Sequence, residues 1–157
     1  MSPPETGALR VGVLMLPGQV PLDLVGPLQV LHGAERLAGG IAIRYFGPRA
    51  SLDWLGPLTL AGIEPLPEPL EPLDLLVVPG QYRRGIDPLV QPGCVAWLRR
   101  HAGRVATLMG ICSGSLLMAE AGAGAAPPTI PCCRGCASWP PRHGCRAIAS
   151  SSRTVPA

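Results

Sequence analysis

The chain of 157 residues has no lysine and no asparagine, so all 13 of its basic residues are arginine. Codons for the two missing residues begin with AA. With 20 Gly, 20 Pro and abundant Ala, their absence indicates a gene very rich in G and C. Charge of either sign is sparse, and 13 basic against 10 acidic residues leave only +3, too little to argue for nucleic acid as a partner. No apolar run approaches the ~20 residues of a membrane span. The start, MSPPETGALR, lacks the basic stretch and apolar core of an export signal. A soluble cytoplasmic protein is expected, its six cysteines reduced rather than paired in a secreted scaffold. The length is that of one domain, enough to bury roughly two thirds of its unfolded surface if all of it folds.

What is present alternates between strand and helix signals. Leu9 to Leu16 is a nearly continuous apolar run closed by Pro17-Gly18, as in a strand buried on both faces of a parallel sheet. Asp23 to Leu37 carries Leu24, Val25, Leu28, Leu31 and Leu37 at helical spacing and stops at Gly39-Gly40. Ile41 to Phe46 reads as a second strand, with Leu58 to Leu60 a short one beyond it, and Glu64 to Pro72 is a Pro-rich connection. Leu73 to Val78 is another buried strand, Leu89 to Ala102 an amphipathic helix, Arg104 to Ile111 a strand and Ser113 to Ala121 a helix. This alternation predicts an α/β fold with a doubly wound, flavodoxin-like parallel sheet, whose functional groups lie beyond the carboxyl ends of the strands. Three loops meet that condition and should converge: Pro17 to Gly26, Pro79 to Arg84, and the turn at Cys112.

That last turn, Gly110-Ile111-Cys112-Ser113-Gly114, is where a reactive cysteine fits. Small residues on both sides let the backbone bend sharply and lift one side chain over the sheet edge, with helix-start amides facing whatever it attacks. The helix dipole there favours thiolate. A small buried core Cys is the competing reading, since free Cys is among the most buried residue types. Asp23, in the first loop, can exchange a proton with such a cysteine or simply serve as an N-cap or first-turn acid. Residues alone leave both pairs of alternatives open.

With these segments placed, the chain resembles the DJ/PfpI superfamily, the class I glutamine amidotransferase-like fold. The segments that carry the likeness are VGVLMLPGQVPLDLVGPLQVL, PLDLLVVPG and GICSGSLLMAEAG, over about residues 10 to 122. Within that superfamily the LDLVGP segment and the hydroxyl residue after the Cys resemble two branches, the sensor domains of AraC-type transcriptional regulators and the isonitrile hydratases. The resemblance implies Cys112 as the elbow nucleophile and Asp23 as its acidic partner. It also implies that the Ser113 amide and the Gly80 loop line an anion-binding spot. The intact family implies a homodimer and a small-molecule ligand or substrate; no cofactor, no metal and no membrane partner are expected. One departure is Gln81, where the family usually has a second glycine; if that glycine is needed for a strained peptide, a catalytic role is weakened. His32 and His101 match no functional position and are expected at a helix surface or end.

From Ala126 the composition changes. The first 125 residues hold 22 Leu and all 10 acids, whereas the last 32 hold neither. The tail has six Pro, four Cys and a Ser150-Ser151-Ser152 run, with little to bury. Cys133, Cys136, His143 and Cys145 supply four soft metal ligands, but the closing His-x-Cys spacing is unusual for a metal clip. A frameshift explains the tail better. Read one frame over, Cys132 onward permits a leucine-bearing amphipathic helix, Ala147 to Val155 permits Asn-Arg-Val-Val-Val-Glu-Asp-Gly-Pro, and Ala123 to Thr129 permits Gly-Arg-Arg-Thr-Thr-His-His. The same strings, in family order, resemble the segments downstream of the elbow helix in AraC-type sensor domains.

The expected organisation is a disordered start at residues 1–8, a partial DJ/PfpI-like domain at 9–122 and an irregular, frameshifted tail at 123–157. An incomplete sheet should expose an edge strand and apolar helix faces. The function expected is that of a ligand-sensing domain without its DNA-binding part, which itself binds no DNA; the alternative is a stand-alone cysteine-dependent hydratase or hydrolase. The coding DNA provides the check. The bases under Cys132 to Pro156 should spell a leucine-bearing helix in the shifted frame, with helix-turn-helix motifs downstream for a regulator or a stop about 70 residues on for an enzyme.

Overall fold

Five parallel strands form the centre of the computed structural model, which describes residues 7–54, 56–82 and 92–123. In chain order the elements are β1 (Leu9–Leu14), α1 (Pro21–Ala38), β2 (Ile41–Gly47), β3 (Ser51–Asp53), β4 (Thr59–Ala61), β5 (Glu64–Pro65), β6 (Leu73–Val78), α2 (Pro92–His101), β7 (Val105–Gly110) and α3 (Gly114–Glu120). A single 3-10 turn, Ala102–Arg104, joins α2 to β7. The sheet runs β5-β2-β1-β6-β7, every neighbouring pair parallel, while β3 and β4 form a separate antiparallel hairpin. The fold is therefore α/β and doubly wound. The chain moves outward from β1 to β2, then returns to the other side of β1 as β6. Between β1 and β6 the connections diverge to opposite faces, which opens a crevice at the strand ends.

Alternate residues of the strands feed two cores. Leu14, Phe46, Leu76 and Val78 face α2 and α3, packing with Trp97, Leu98, Leu117 and Met118. Val11, Val13 and Val77 face α1 and the hairpin, with Leu24, Leu52 and Ile63. Trp97 anchors the first core: its ring lies 5.2 Å from that of Phe46, and its Nε1 donates to the carbonyl of Pro67 at 2.9 Å.

Most expected elements lie where the pattern put them, and the differences have local causes. Helix α1 begins two residues earlier than expected because Pro21 suits the first helical position. Within the connection expected over Glu64 to Pro72, Glu64–Pro65 pairs with the end of β2, held by a paired contact of the Arg44 guanidinium with both oxygens of the Glu64 carboxylate. The hairpin partner Ser51–Asp53 was not expected, since three residues carry no period. His32 is on the exposed surface of α1, against the Tyr45 hydroxyl at 2.7 Å. His101 ends α2 but is buried, its ring tilted 5.2 Å from that of Trp97. The start at 1–6, the first residues of the helix expected from Leu89, and the tail with its four candidate metal ligands lie outside the described residues. No helix among the described residues is long and apolar enough to cross a membrane.

The Pro-rich strap is fastened to α2 through Glu68, whose carboxylate meets Arg100 at 2.9 Å and His101 at 3.0 Å. Those two partners hold the Glu68 carboxyl below its ordinary value of 4.5. A lowered folded-state value means that the strap contact stabilises the fold fully above the ordinary value and is lost as pH falls through the lowered one. Glu68 is solvent-exposed, so the effect is small. In thermal melts taken at decreasing pH below ~4.5, the parent should lose melting temperature more steeply than Glu68→Gln; equal slopes would contradict the assignment.

Candidate functional site

The crevice is built by three strand ends. After β1, the loop Met15 to Val20 leads into α1, where Val20 occupies the N-cap position with no side-chain cap and Pro21 the first helical turn. Asp23 is therefore a first-turn acid and not the N-cap. Pro27 has no N–H to offer the Asp23 carbonyl four residues back, so the backbone here is bonded more loosely than in a regular helix. After β6, Pro79-Gly80-Gln81 runs across the crevice. After β7, the Ile111 amide donates to the Val78 carbonyl at 3.0 Å, and the chain then turns at Cys112.

Cys112 has φ +52°, the sole positive value at a non-glycine among the described residues. A left-handed conformation at a residue with a Cβ costs about 1–2 kcal/mol and persists only where its surroundings impose it. Here the Gly114 amide donates to the Ile111 carbonyl at 2.8 Å. The Cys112 carbonyl accepts from the Ser115 hydroxyl at 2.7 Å and from its amide at 3.2 Å. Gly114 permits this bend, because a Cβ there would collide with the carbonyl oxygens of Val78 and Pro79. The result presents an exposed Cys112, not a core residue. Cys94, the other described cysteine, is buried in α2, and burial pushes its thiol up to about 11.

Gly80 fixes the spacing between the other two groups. A Cβ on Gly80 would overlap the Asp23 Oδ2 oxygen and approach the Cys112 Cβ at 3.0 Å and the Ile111 carbonyl oxygen at 3.2 Å. The structure thus brings Asp23, Gly80 and Cys112 together around one glycine Cα. Asp23 Oδ2 is sealed from solvent and has no hydrogen-bond donor among the described residues. A buried carboxylate oxygen without a donor marks a position where one belongs, on a ligand, a water or a neighbouring thiol. Among the described residues the Gly80 and Ser113 amides likewise take no part in the backbone bonds that close this region. Helix α3 is shorter than expected, seven residues from Gly114 with Ser113 as N-cap, so its dipole contributes less than a full-length helix would.

Gln81 carries the largest difference from expectation. The Ser113 hydroxyl accepts a bond from the Gln81 amide at 2.8 Å and donates to the Gln81 carbonyl at 2.9 Å. The Gln81 side chain donates to the Pro17 carbonyl at 2.7 Å, and Gln81 bridges antiparallel to Gln19 through Val20 N–H to Gly80 O and Tyr82 N–H to Gly18 O, both 2.9 Å. Its φ is not positive, so the backbone conformation there does not demand a glycine. Gln19, whose side-chain amide donates to the Leu14 carbonyl at 2.8 Å, was not singled out from sequence, and Gln81 only as a departure from the family pattern. The partners of Gln81 are distant in the chain, and no local pattern announces them. Ser113 was expected to act through its amide; the structure adds its hydroxyl as a loop tie. Arg83 and Arg84 of the same loop lie outside the described residues. Among the described residues no three His, Cys, Asp or Glu side chains gather as a metal site.

No protein-family model matches the chain, and no curated protein matches it. Solved structures do. A ThiJ/PfpI family protein from Pseudomonas syringae superposes with a TM-score of 0.63 at 23% identity, over 76% of this chain and 48% of that one. An AraC family transcriptional regulator from Pseudomonas putida gives 0.59 at 24% identity, over 73% of this chain and 61% of that one. A DJ-1 superfamily protein from Agrobacterium tumefaciens gives 0.51 at 19%, over 73% and 58%. At these identities the likeness is one of fold: the chain has the DJ-1/PfpI fold, shared with an AraC-family regulator. It spans about half to three fifths of the length of the structures it matches.

Replacing Gly80 by Ala should force Asp23 and Cys112 apart. We expect a loss of ~2 kcal/mol in chemical denaturation; unchanged stability would show that the two side chains are not wedged against Gly80.

Proposed function

We propose that the chain is a ligand-sensing domain of the kind that AraC-type transcriptional regulators carry at the N-terminus, acting in the cytoplasm. The crevice at Asp23, Gly80, Cys112 and Ser113 is its small-molecule site. The observation that carries this reading is the buried, donorless Asp23 Oδ2 beside an exposed, left-handed Cys112, in a fold shared with an AraC-family regulator. Such a pair can hold a ligand by a charge-assisted hydrogen bond while the Gly80 and Ser113 amides receive an anionic edge. Homodimerisation, as in the intact family, would bring two such sites into one regulator.

A second reading rests on the backbone strain at Cys112, since strained residues cluster at reactive sites. In a stand-alone hydratase of the isonitrile hydratase type, the Cys112 thiolate attacks an electrophilic carbon, Asp23 shuttles the proton, and amides stabilise developing charge.

One assay separates the two. The purified chain and Cys112→Ser are incubated with a simple alkyl isonitrile, and the N-alkylformamide formed by addition of water is measured. A sensor should yield no more product than the Ser variant, while Cys112, unlike Cys94, is alkylated by iodoacetamide at a rate that Asp23→Asn changes. Turnover dependent on Cys112 would favour the enzyme, and a rate untouched by Asp23→Asn would remove Asp23 from the site.

A further inference from the structure

The ladder between β1 and β6 stops short of the site. Its last pair is Val13 with Val77. Alternate residues of a parallel strand bond to the same neighbour. Val78 turns its carbonyl to the Ile111 amide after β7, and Met15 turns its amide to the Phe46 carbonyl of β2. The next bond between β1 and β6 therefore falls to the Leu14 carbonyl and the amide at position 79, where Pro79 has no N–H. Leu14 is fully buried, and a buried carbonyl left without a donor is costly. Gln19 supplies that donor, its side-chain Nε2 meeting the Leu14 carbonyl at 2.8 Å. The other end of the carboxamide, Oε1, is sealed from solvent and meets no donor among the described residues. That one bond fixes the side chain, since a flipped amide would set oxygen against oxygen.

The effect of that bond reaches Asp23. Val20, next to Gln19, donates its amide to the Gly80 carbonyl at 2.9 Å, and its own carbonyl accepts from the Asp23 amide at 3.1 Å and the Leu24 amide at 3.3 Å. Asp23 thus hangs from Val20. Among the described residues the other ties of this loop, at Pro17, Gly18 and Val20, run to the segment Gly80 to Tyr82, whereas the Gln19 side chain fastens the loop back onto β1. We propose that Gln19 is a positioning residue of the small-molecule site: standing in for the amide that Pro79 lacks, it holds the first turn of α1 so that the Asp23 carboxylate meets Gly80 and Cys112. Gln19 acts through Asp23, and its role rests on the reading of Asp23 and Cys112 as one site.

The test is the rate at which iodoacetamide alkylates Cys112 in the full chain, compared between the parent, Gln19→Met, Asp23→Asn and the double variant. Methionine fills a similar space and cannot donate. We expect Gln19→Met to change the rate ~threefold or more, in the same direction as Asp23→Asn, and to change nothing further in the Asp23→Asn background. A residue that merely stiffens the fold would show its effect in both backgrounds. Pro79→Ala supplies a second arm. It restores an N–H that can reach the Leu14 carbonyl, so adding Gln19→Met to Pro79→Ala should leave the rate of Pro79→Ala as it is. That arm also decides the matter if Gln19→Met alone is too unstable to assay. An Asp23→Asn rate equal to that of the parent would overturn the shared site, and the role of Gln19 with it. Where Asp23→Asn does alter the rate, three results would overturn the role of Gln19 alone: no effect of Gln19→Met, an effect that persists in the Asp23→Asn background, or one that Pro79→Ala leaves undiminished.

Discussion

Gln81 ties its own loop to two others, one 64 residues back in the chain at Pro17 and one 32 residues on at Ser113. Its backbone amide and carbonyl both engage the Ser113 hydroxyl, its side chain reaches the Pro17 carbonyl, and it bridges Gln19. Without that tie the ends of β1, β6 and β7 would be free to splay, because parallel strands restrain one another only as far as their ladders extend. With it, Gly80 is pressed between Asp23 and Cys112, and the separation of the two chemically capable side chains is set by backbone and not by their own rotamers. A bond to a buried polar group is worth about 1 kcal/mol when made, but leaving its partner unsatisfied costs up to about 3. Ser113 thus matters mainly as the acceptor that the buried Gln81 amide needs.

The same loops explain why strain can be stored at Cys112. Strand order places β6 between β1 and β7, so the turn after β7 abuts the end of β6, and Gly114 lets α3 start against the Val78 and Pro79 carbonyls. The bend is imposed by neighbours that are themselves held. On the β1 side the site is covered by α1; beyond β7 the described structure offers neither strand nor helix. A well-defined elbow and an unguarded sheet edge therefore stand on the same strand.

Much of this was legible in the sequence. Leu9 to Leu16 and Leu73 to Val78 announced themselves as doubly buried strands by nearly continuous apolar runs, the first ending as a strand at Leu14, and α1 by its spacing and its Gly39-Gly40 stop. The turn at Cys112 was legible because a sharp strand-to-helix bend requires small residues in order. Tertiary ties were not. Gln81 looked like a missing glycine, although its value lies in contacts with Pro17, Gln19 and Ser113 that no local pattern encodes. His101 was legible as a helix-end residue, but its burial where the Glu68 strap crosses α2 was not. Short pairings such as Glu64–Pro65 with β2 depend on where the sheet edge falls, which periodicity over two residues cannot reveal.

The central claim is that the site is held by the Gln81–Ser113 tie. The most direct measurement is amide hydrogen exchange at Gln81, resolved by NMR in the parent and in Ser113→Ala. The account predicts slow exchange at Gln81 in the parent, and fast exchange there in the variant while β1 and β6 remain protected. Fast exchange at Gln81 in the parent, or protection that survives loss of the Ser113 hydroxyl, would contradict it.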